Sequence, residues 1–448
     1  MKINEKMVFA LILTIYGIIL ILRPFELDES LYMLTGKMIL QQKLDPFSSD
    51  YLSPHYSNPF NYIFGSPLVP IIYGLFYLIG GFTLVRIVSL IFIFSTLILT
   101  YDLTKKVFNK KIATISLIVA GISNTTMLLA TNSLLDSVGV FFFFLALYFV
   151  YKKKLFYSGL SFGLSVLCKF LVALPVLAII VYLFKKRFKI QNLLIGLLIL
   201  LVPFFVYDFD ILMELYNFFI LRHIPSDFPT SLVLLTSRFL ATIPLPFLLY
   251  LMDRKKSFIK NNYLLIIPFL SILFFHVVTL NYISIFHTFS YGLIPLSVLS
   301  GKAISNMKKK TQFFILFVFV ILNLRVAIGS VFVMSSHSSI ADDINKLDGI
   351  ILADNPYIIH LIKNTDLSDD YVYNFFYFDF DHDGKSAEDD YEKAMKNNFF
   401  DYIIIPSQFT IESESSELFK LVPKYYCIFK TSTGSRLGMA IYSKCASK

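Results

Sequence analysis

Long apolar runs separated by short polar stretches set the pattern of this chain. The runs cover 7–22, 66–80, 83–101, 112–131, 133–151, 155–184, 191–206, 231–251, 263–280, 283–300 and 312–333. A helix of about 20 such residues crosses the hydrocarbon core of a bilayer. The pattern therefore predicts an all-α polytopic membrane part over residues 1–333. After 333 the pattern changes. Residues 349–353 and 401–405 read as buried strands, 388–398 as a helix, and 424–431 with 436–443 as a hairpin around a Ser-Thr-Gly turn. That predicts a small α/β domain over 334–448.

Basic clusters decide which runs cross. They are Lys2/Lys6, Lys105/Lys106/Lys110/Lys111, Lys152 to Lys154, Lys185/Lys186/Arg187/Lys189, Arg254/Lys255/Lys256/Lys260 and Lys302/Lys308/Lys309/Lys310. Cytoplasmic loops collect such clusters, so an even number of crossings must separate neighbouring ones. Three runs lie between Lys6 and Lys105, so one does not cross. The run 66–80 is short, starts Ser66-Pro67 and ends Gly80-Gly81, and is expected as a re-entrant or juxtamembrane helix. The run 155–184 would be about 45 Å long as one helix, against a core of about 30 Å. Two short antiparallel helices with Lys169 at the outer tip fit better. The result is about eleven crossings in a cell membrane, with the N-terminus cytoplasmic. The loop 23–65 and the tail from 334 are then extracytoplasmic.

Composition agrees. The chain is 56% hydrophobic and only 16% charged. Its net charge of +9 is unevenly placed. Before position 337 there are 29 basic and 13 acidic residues; from there on there are 11 and 18. The basic part needs no nucleic-acid partner, because the clusters sit where membrane topology puts them. Lys2 and Lys6 precede an apolar run with no small-residue cleavage site after it, so that run is expected to be retained. A disulfide between Cys427 and Cys445 is compatible with the sequence, but no spacing pattern specifies it.

The residues with chemical potential gather on the outer side of this topology. The first outer loop opens Leu27-Asp28-Glu29-Ser-Leu-Tyr32. Adjacent carboxylates at a membrane interface can serve as a general base with a brace; they can equally complement a helix N-terminus. Asp136 lies at the edge of a span, where an ionisable group is costly and is a functional candidate. It can also be a helix cap at the water interface. Lys169 is a point charge suited to a lipid phosphate, or a lysine that snorkels at a helix end. Arg86 sits just inside the outer end of its span, where an anion or carboxylate partner is expected. His55, Arg222, His223 and His287 border the outer loops as further candidates for substrate contact. No His/Cys metal cluster, glycine-rich phosphate loop or Ser-His-Asp order is present. In the tail, Asp379, Asp381, Asp383 and Asp390, with Gly384 at position six, match a calcium loop. Asp stands where the usual Glu closes such loops, and a solvated acidic loop is the competing reading.

In order and spacing these residues resemble the GT-C membrane glycosyltransferases, the group of protein O-mannosyltransferases and aminoarabinose transferases. The resemblance rests on Asp28-Glu29 in the first loop and on Gly65-Ser-Pro67-Leu68 followed by Gly80-Gly81 and Arg86. It continues with Asn132 to Ser137, Leu160 to Lys169, and His287 to Pro295. It implies inverting transfer of a monosaccharide from a polyprenyl-phosphate donor to a protein, glycan or lipid acceptor. Asp28 would be the base, Asp136 would orient the site or the acceptor, and Glu29 would join them in the catalytic group. Lys169 with Arg86 would hold the donor phosphate. No cofactor is then expected at the catalytic site; calcium in the tail would be structural. The chain departs from the group in having no Trp and in carrying Ser66-Pro67 where paired prolines are common. The rival class is a lipid-linked sugar transporter or flippase. That class places its ionisable groups near mid-membrane, often in repeated halves.

Overall fold

The computed structural model describes residues 4–23, 27–41, 68–207, 263–279, 288–333, 343–353, 371–373, 380–381, 388–406, 416–431 and 439–445. The chain divides into two compact units. One comprises Met1–Leu22 and Gly65–Gly329; the other comprises Arg23–Phe64 and Ser330–Lys448. The boundary expected after residue 333 falls at Gly329/Ser330. The segment 23–64, expected with the membrane part, groups with the tail.

The first unit is helical: α1 (Glu5–Leu22), α3 (Leu68–Val107), α4 (Lys110–Ile122), α5 (Asn124–Thr131), α6 (Leu135–Tyr151), α7 (Leu155–Cys168), α8 (Ala173–Lys185), α9 (Gln191–Tyr207), α10 (Tyr263–Thr279), α11 (Ser290–Ser305) and α12 (Lys309–Val333). Between α1 and α3 comes α2 (Leu27–Leu40), which belongs to the second unit. Among the described residues, α1 and α3 are long and apolar enough to cross a membrane, and the bent pair α4–α5 becomes a third if taken as one span. The helices α6 to α10 are apolar but shorter.

Three breaks in the apolar runs position the site. The first divides α3 at Gly80 and Gly81, where Gly81 takes φ 65°. That conformation suits glycine because it has no Cβ. The segment before the break, expected as a helix apart from the following span, is pinned to it. Tyr73 Oη lies 2.7 Å from Ser89 Oγ and donates to the Leu134 carbonyl at 2.9 Å.

The second break divides the run 112–131, expected as one crossing, into α4 and α5 with a bend of 64°. Ser123-Asn-Thr-Thr supplies the reason. The Ser123 side chain caps α5 by accepting from the Thr126 amide at 3.4 Å. Asn323 Oδ1 accepts from the Asn124 amide at 2.7 Å.

The third break is the expected one at Lys169, which is extended (φ −162°, ψ 110°) between α7 and a 3₁₀ turn at Phe170–Val172. Pro175 lies in the first turn of α8. In a continuous helix its ring would clash with the carbonyl four residues back, so the helix restarts there. The expected antiparallel pairing is replaced by another arrangement. α7 packs on α6 and α9, whereas α8 packs on α10. Glycine explains the α7–α9 seam. A Cβ at Gly159 would sit 2.0 Å from the Leu193 carbonyl oxygen, and one at Gly196 would sit 2.3 Å from that of Phe156. Small residues let apolar helices approach backbone to backbone, which gives them dispersion contacts that lipid cannot better.

In the second unit a five-stranded sheet runs in the order β2–β1–β3–β5–β4. β1 (Ile351–Ala353) is parallel to β2 (Tyr371–Tyr373) and β3 (Tyr402–Pro406). β5 (Met439–Lys444) is antiparallel to β3 and β4 (Tyr426–Thr431). Helices α13 (Glu388–Lys396) and α14 (Ser416–Tyr425) complete it. Tyr391, Ala394 and Met395 of α13 pack with Leu352, Phe400 and Ile403 in the core. Cys427 and Cys445 form a disulfide across the β4–β5 pair. Strand β2 and helix α14 were not expected from the sequence.

Candidate functional site

The helical unit has two chemically different ends. At one, the start of α1 meets the start of α4 through Glu5 and Lys110 (2.8 Å). Lys106 of α3 donates to Tyr148 Oη of α6 at 2.9 Å. The Lys111 ammonium reaches the Ser305 carbonyl of α11 at 3.5 Å, and Lys302 lies over the Phe108 ring. These contacts bring the basic clusters of residues 105–111, 152–154 and 302–310 to one end. Asp136 in the first turn of α6, Lys169 after α7, and Arg86 just after the break in α3 lie at the other ends of the same helices.

At that other end Lys169 Nζ lies 2.8 Å from both carboxylate oxygens of Asp136. The side chains are 16% and 4% exposed respectively. Burial of either charge alone would be costly, and pairing offsets it. Two of the three ammonium donors are thereby spent on Asp136. Ser165 Oγ, one turn before Lys169, donates to the Gly139 carbonyl at 2.8 Å and locks α7 to the first turns of α6. The ion pair thus joins two helices already held in register.

A narrow cleft beside Lys169 is lined also by Leu171, Val172, Ile272, Thr288 and Tyr291. Tyr291 is buried and packs edge-on to Phe143 (5.7 Å between centroids). No hydrogen bond of good geometry holds its hydroxyl, which lies near the Asp136 charge. A Cβ at Gly139 would come within 2.2 Å of that oxygen, so the glycine makes room for it. Thr288 Oγ1 lies 2.6 Å from His276 Nε2. Leu171, Val172 and Ile272 give the cleft its apolar wall.

Arg86 is buried, and its guanidinium donates to the Leu20 carbonyl at 3.4 Å, at the end of α1. In the second unit, Asp28 falls in the first turn of α2. Glu29 is fully buried and shares one helix face with buried Tyr32, Met33 and Gly36. His55, Arg222, His223, His287, Asp379 and Asp383 lie outside the described residues. The remaining pair of the expected calcium set, Asp381 and Asp390, share one cation: Lys393 Nζ lies 2.5 Å from Asp381 Oδ2 and 3.7 Å from Asp390 Oδ1.

The structure thus brings Asp136 and Lys169 together, 33 residues apart. It adds Tyr291, Thr288 and His276, which sequence reasoning did not single out. Their signal was faint, since each is a polar residue inside or beside an apolar run, where packing is the ordinary explanation.

An apolar helical bundle followed by a small α/β unit is the architecture expected of the GT-C fold. The comparisons with known proteins agree. Residues 65–207 match the family described as dolichyl-phosphate-mannose-protein mannosyltransferase. The whole chain is similar to the crystal structure of ArnT from Cupriavidus metallidurans bound to undecaprenyl phosphate. The identity is 12%, the TM-score 0.62, and the match covers 98% of each chain. The apo state of that protein matches with a TM-score of 0.60 at 12% identity, over 98% of this chain and 97% of that one. An Archaeoglobus fulgidus oligosaccharyltransferase, tethered to an acceptor peptide containing an NVT sequon, matches at 13% identity and TM-score 0.51. That match covers 99% of this chain and 74% of the other. No curated protein sequence matches the chain. At these identities the structural likeness defines the fold, and the chain resembles the protein mannosyltransferase and aminoarabinose transferase group in that fold.

Proposed function

We propose that this protein is a membrane glycosyltransferase that moves a monosaccharide from a polyprenyl-phosphate donor to a protein, glycan or lipid acceptor. Transfer takes place at the outer membrane face with inversion. The observation that carries the reading is the Asp136–Lys169 pair, buried at the end of the bundle opposite the basic loops and beside a narrow cleft. The two similar structures supply the ligand classes. One holds undecaprenyl phosphate and the other an acceptor peptide.

In this scheme Asp28 takes the proton from the acceptor hydroxyl or amine. The acceptor atom attacks the anomeric carbon from the face opposite the phosphate. The bond between that carbon and the phosphate oxygen breaks, and polyprenyl phosphate leaves with the electron pair. Negative charge grows on the leaving phosphate in the transition state, where a preorganised cation stabilises it most. Lys169 is that cation and Arg86 the second. Asp136 holds the ammonium in place, and Glu29 braces α2 behind Asp28. The leaving phosphate needs no protonation, so one base and cations suffice and the catalytic site needs no metal. A sugar-lipid transporter is the weaker reading, because Asp136, Lys169 and Arg86 lie at helix ends and breaks, away from mid-span.

The test is transfer by the full chain reconstituted in liposomes with labelled polyprenyl-phosphate sugars. Label is expected to move to an acceptor in the wild type and to stay on the lipid with Lys169→Ala. Movement of intact sugar-lipid between leaflets without transfer would support the transporter and overturn the enzyme.

A further inference from the structure

We infer that two basic turns, at Lys152-Lys153 and Lys186-Arg187, form a headgroup site for an anionic membrane phospholipid. The site lies at the end of the bundle remote from Asp136 and Lys169, and it is independent of the transferase reading. Both turns close a helix in the same way. After α6 the amides of Lys152, Lys153 and Lys154 donate to the carbonyls of Tyr148, Val150 and Phe149 at 2.9 to 3.0 Å. After α8 those of Lys186, Arg187 and Phe188 donate to Tyr182, Phe184 and Leu183 at 2.9 to 3.1 Å. The middle residue of each turn is left-handed, Lys153 at φ 57° and Arg187 at φ 58°. The ammonium just before it lies over the ring four residues back. Lys152 is 5.6 Å from the Tyr148 centroid and Lys186 is 5.9 Å from that of Tyr182. The two turns are neighbours, since Tyr182 interacts electrostatically with Tyr151.

Membrane topology and the helix dipole both favour cations at these helix ends, and that bland reading accounts for the presence of lysine. It does not account for where the cations stand. The left-handed position of such a turn ordinarily takes glycine or asparagine, because it strains an L side chain. In the other unit α13 follows that rule and closes on Asn398 at φ 52°. At the basic end a cation takes the position twice. Among the described residues no carboxylate forms an ion pair with Lys153, Lys186 or Arg187, and all three are exposed. On the outer face of α8, Leu174, Leu177, Val181 and Phe184 are exposed and lead up to the turn. Spacings of three and four residues keep them on one face. An apolar stripe that ends in unneutralised cations has the polarity order of a phospholipid, acyl chain and then phosphate. Each tyrosine ring holds its ammonium at the helix end, so less side-chain freedom is lost when phosphate binds there.

The experiment uses the full chain in nanodiscs of phosphatidylcholine, alone or mixed with phosphatidylglycerol. Bound phosphatidylglycerol is read by native mass spectrometry, and melting temperature is read in both discs. The wild type is expected to retain phosphatidylglycerol over phosphatidylcholine and to melt higher in its presence. Lys186→Gln/Arg187→Gln should weaken retention by roughly fivefold for each cation removed. Arg187→Gly removes a cation where glycine suits the backbone. It should melt no lower than the wild type in phosphatidylcholine and still lose roughly fivefold in retention. Arg187→Lys should keep the wild-type value. Lys308→Gln/Lys309→Gln removes as many charges from the same end and should change retention little. Equal retention of the two lipids by the wild type overturns the inference, as does unchanged retention in Arg187→Gly. A loss in Lys308→Gln/Lys309→Gln as large as in Lys186→Gln/Arg187→Gln would mean diffuse attraction and no site. A rise in melting temperature when inorganic phosphate is added to phosphatidylcholine discs would assign the turns to a free anion and overturn the lipid. None of these outcomes touches sugar transfer at the Lys169 end, which is measured separately.

Discussion

Lys169 reaches both carboxylate oxygens of Asp136 at 2.8 Å, across the gap between two helices that other contacts already fix. Breaking a buried pair from one side leaves an uncompensated charge, a loss of about 3 kcal/mol or more. Asp136→Asn and Lys169→Ala are each expected to lower the melting temperature of the full chain in detergent. Asp136→Leu/Lys169→Met should recover much of that stability without recovering transfer. A double variant as unstable as the two single losses combined would mean the two side chains are not coupled.

Asp28 stands in the first turn of α2. As the proposed base it acts in the chemical step. Asp28→Asn is expected to reduce the transfer rate by a factor of about 10² to 10⁴, with an unchanged melting temperature and unchanged donor binding. Full activity in this variant would remove the assignment.

The seam between α7 and α9 depends on the absence of a side chain at Gly159, where a Cβ would sit 2.0 Å from a backbone oxygen. Backbone cannot swing aside as a side chain can. Gly159→Val should therefore destabilise the bundle by about 2 kcal/mol, and displacement of α7 should weaken donor binding through Lys169. Wild-type stability in this variant would contradict the close approach.

Asp401 accepts from Lys444 Nζ at 2.6 Å and from the Ile350 amide at 2.8 Å, tying the β1, β3 and β5 ends together. The Lys444 ammonium, helped by that amide and opposed by partial burial, holds its carboxyl below the usual carboxylate range. A depressed carboxylate contributes stability that is present above its unfolded-state pKa and is lost as pH falls through its folded-state value. Hydrogen-exchange protection of the Ile350 amide should therefore decline as pH falls below the ordinary carboxylate range. Asp401→Asn should flatten that part of the profile. The carboxylate is about a third exposed, so the effect is expected to be modest and to shrink in high salt. An identical profile in Asp401→Asn would assign the acid sensitivity to other groups.

Lys393 holds the two described carboxylates of the expected calcium loop, Asp381 and Asp390. If the acidic loop holds calcium, the ion must displace the ammonium. Calcium should then raise the melting temperature more in Lys393→Met than in the wild type, and not at all in Asp381→Ala. Equal responses in all three would discard the site.

Much of the fold was readable along the chain because the bilayer imposes a length and a polarity on every span. Apolar run lengths gave the helices, and basic clusters gave their common end. Gly80-Gly81 and Lys169 marked two breaks, since paired glycines and a lysine inside a 30-residue apolar run are each hard to reconcile with one continuous helix. The bend at Ser123 was missed because its four polar residues are uncharged and blend into an apolar stretch. The grouping of 23–64 with the tail was also hidden, as it depends on contacts between segments nearly three hundred residues apart.

The sequence by itself determined which chemistry was available, namely acids after the first span, an acid at the start of one helix and a lysine at the break after another. Only the tertiary structure decided that Asp136 and Lys169 form one pair, that Tyr291 and Thr288 share the cleft beside them, and that His276 meets Thr288. The physical reason is that a hydrophobic pattern specifies which face of a helix is buried but not which partner buries it. Partner choice comes from close packing at positions such as Gly139, Gly159 and Gly196, and that complementarity exists only once the helices meet.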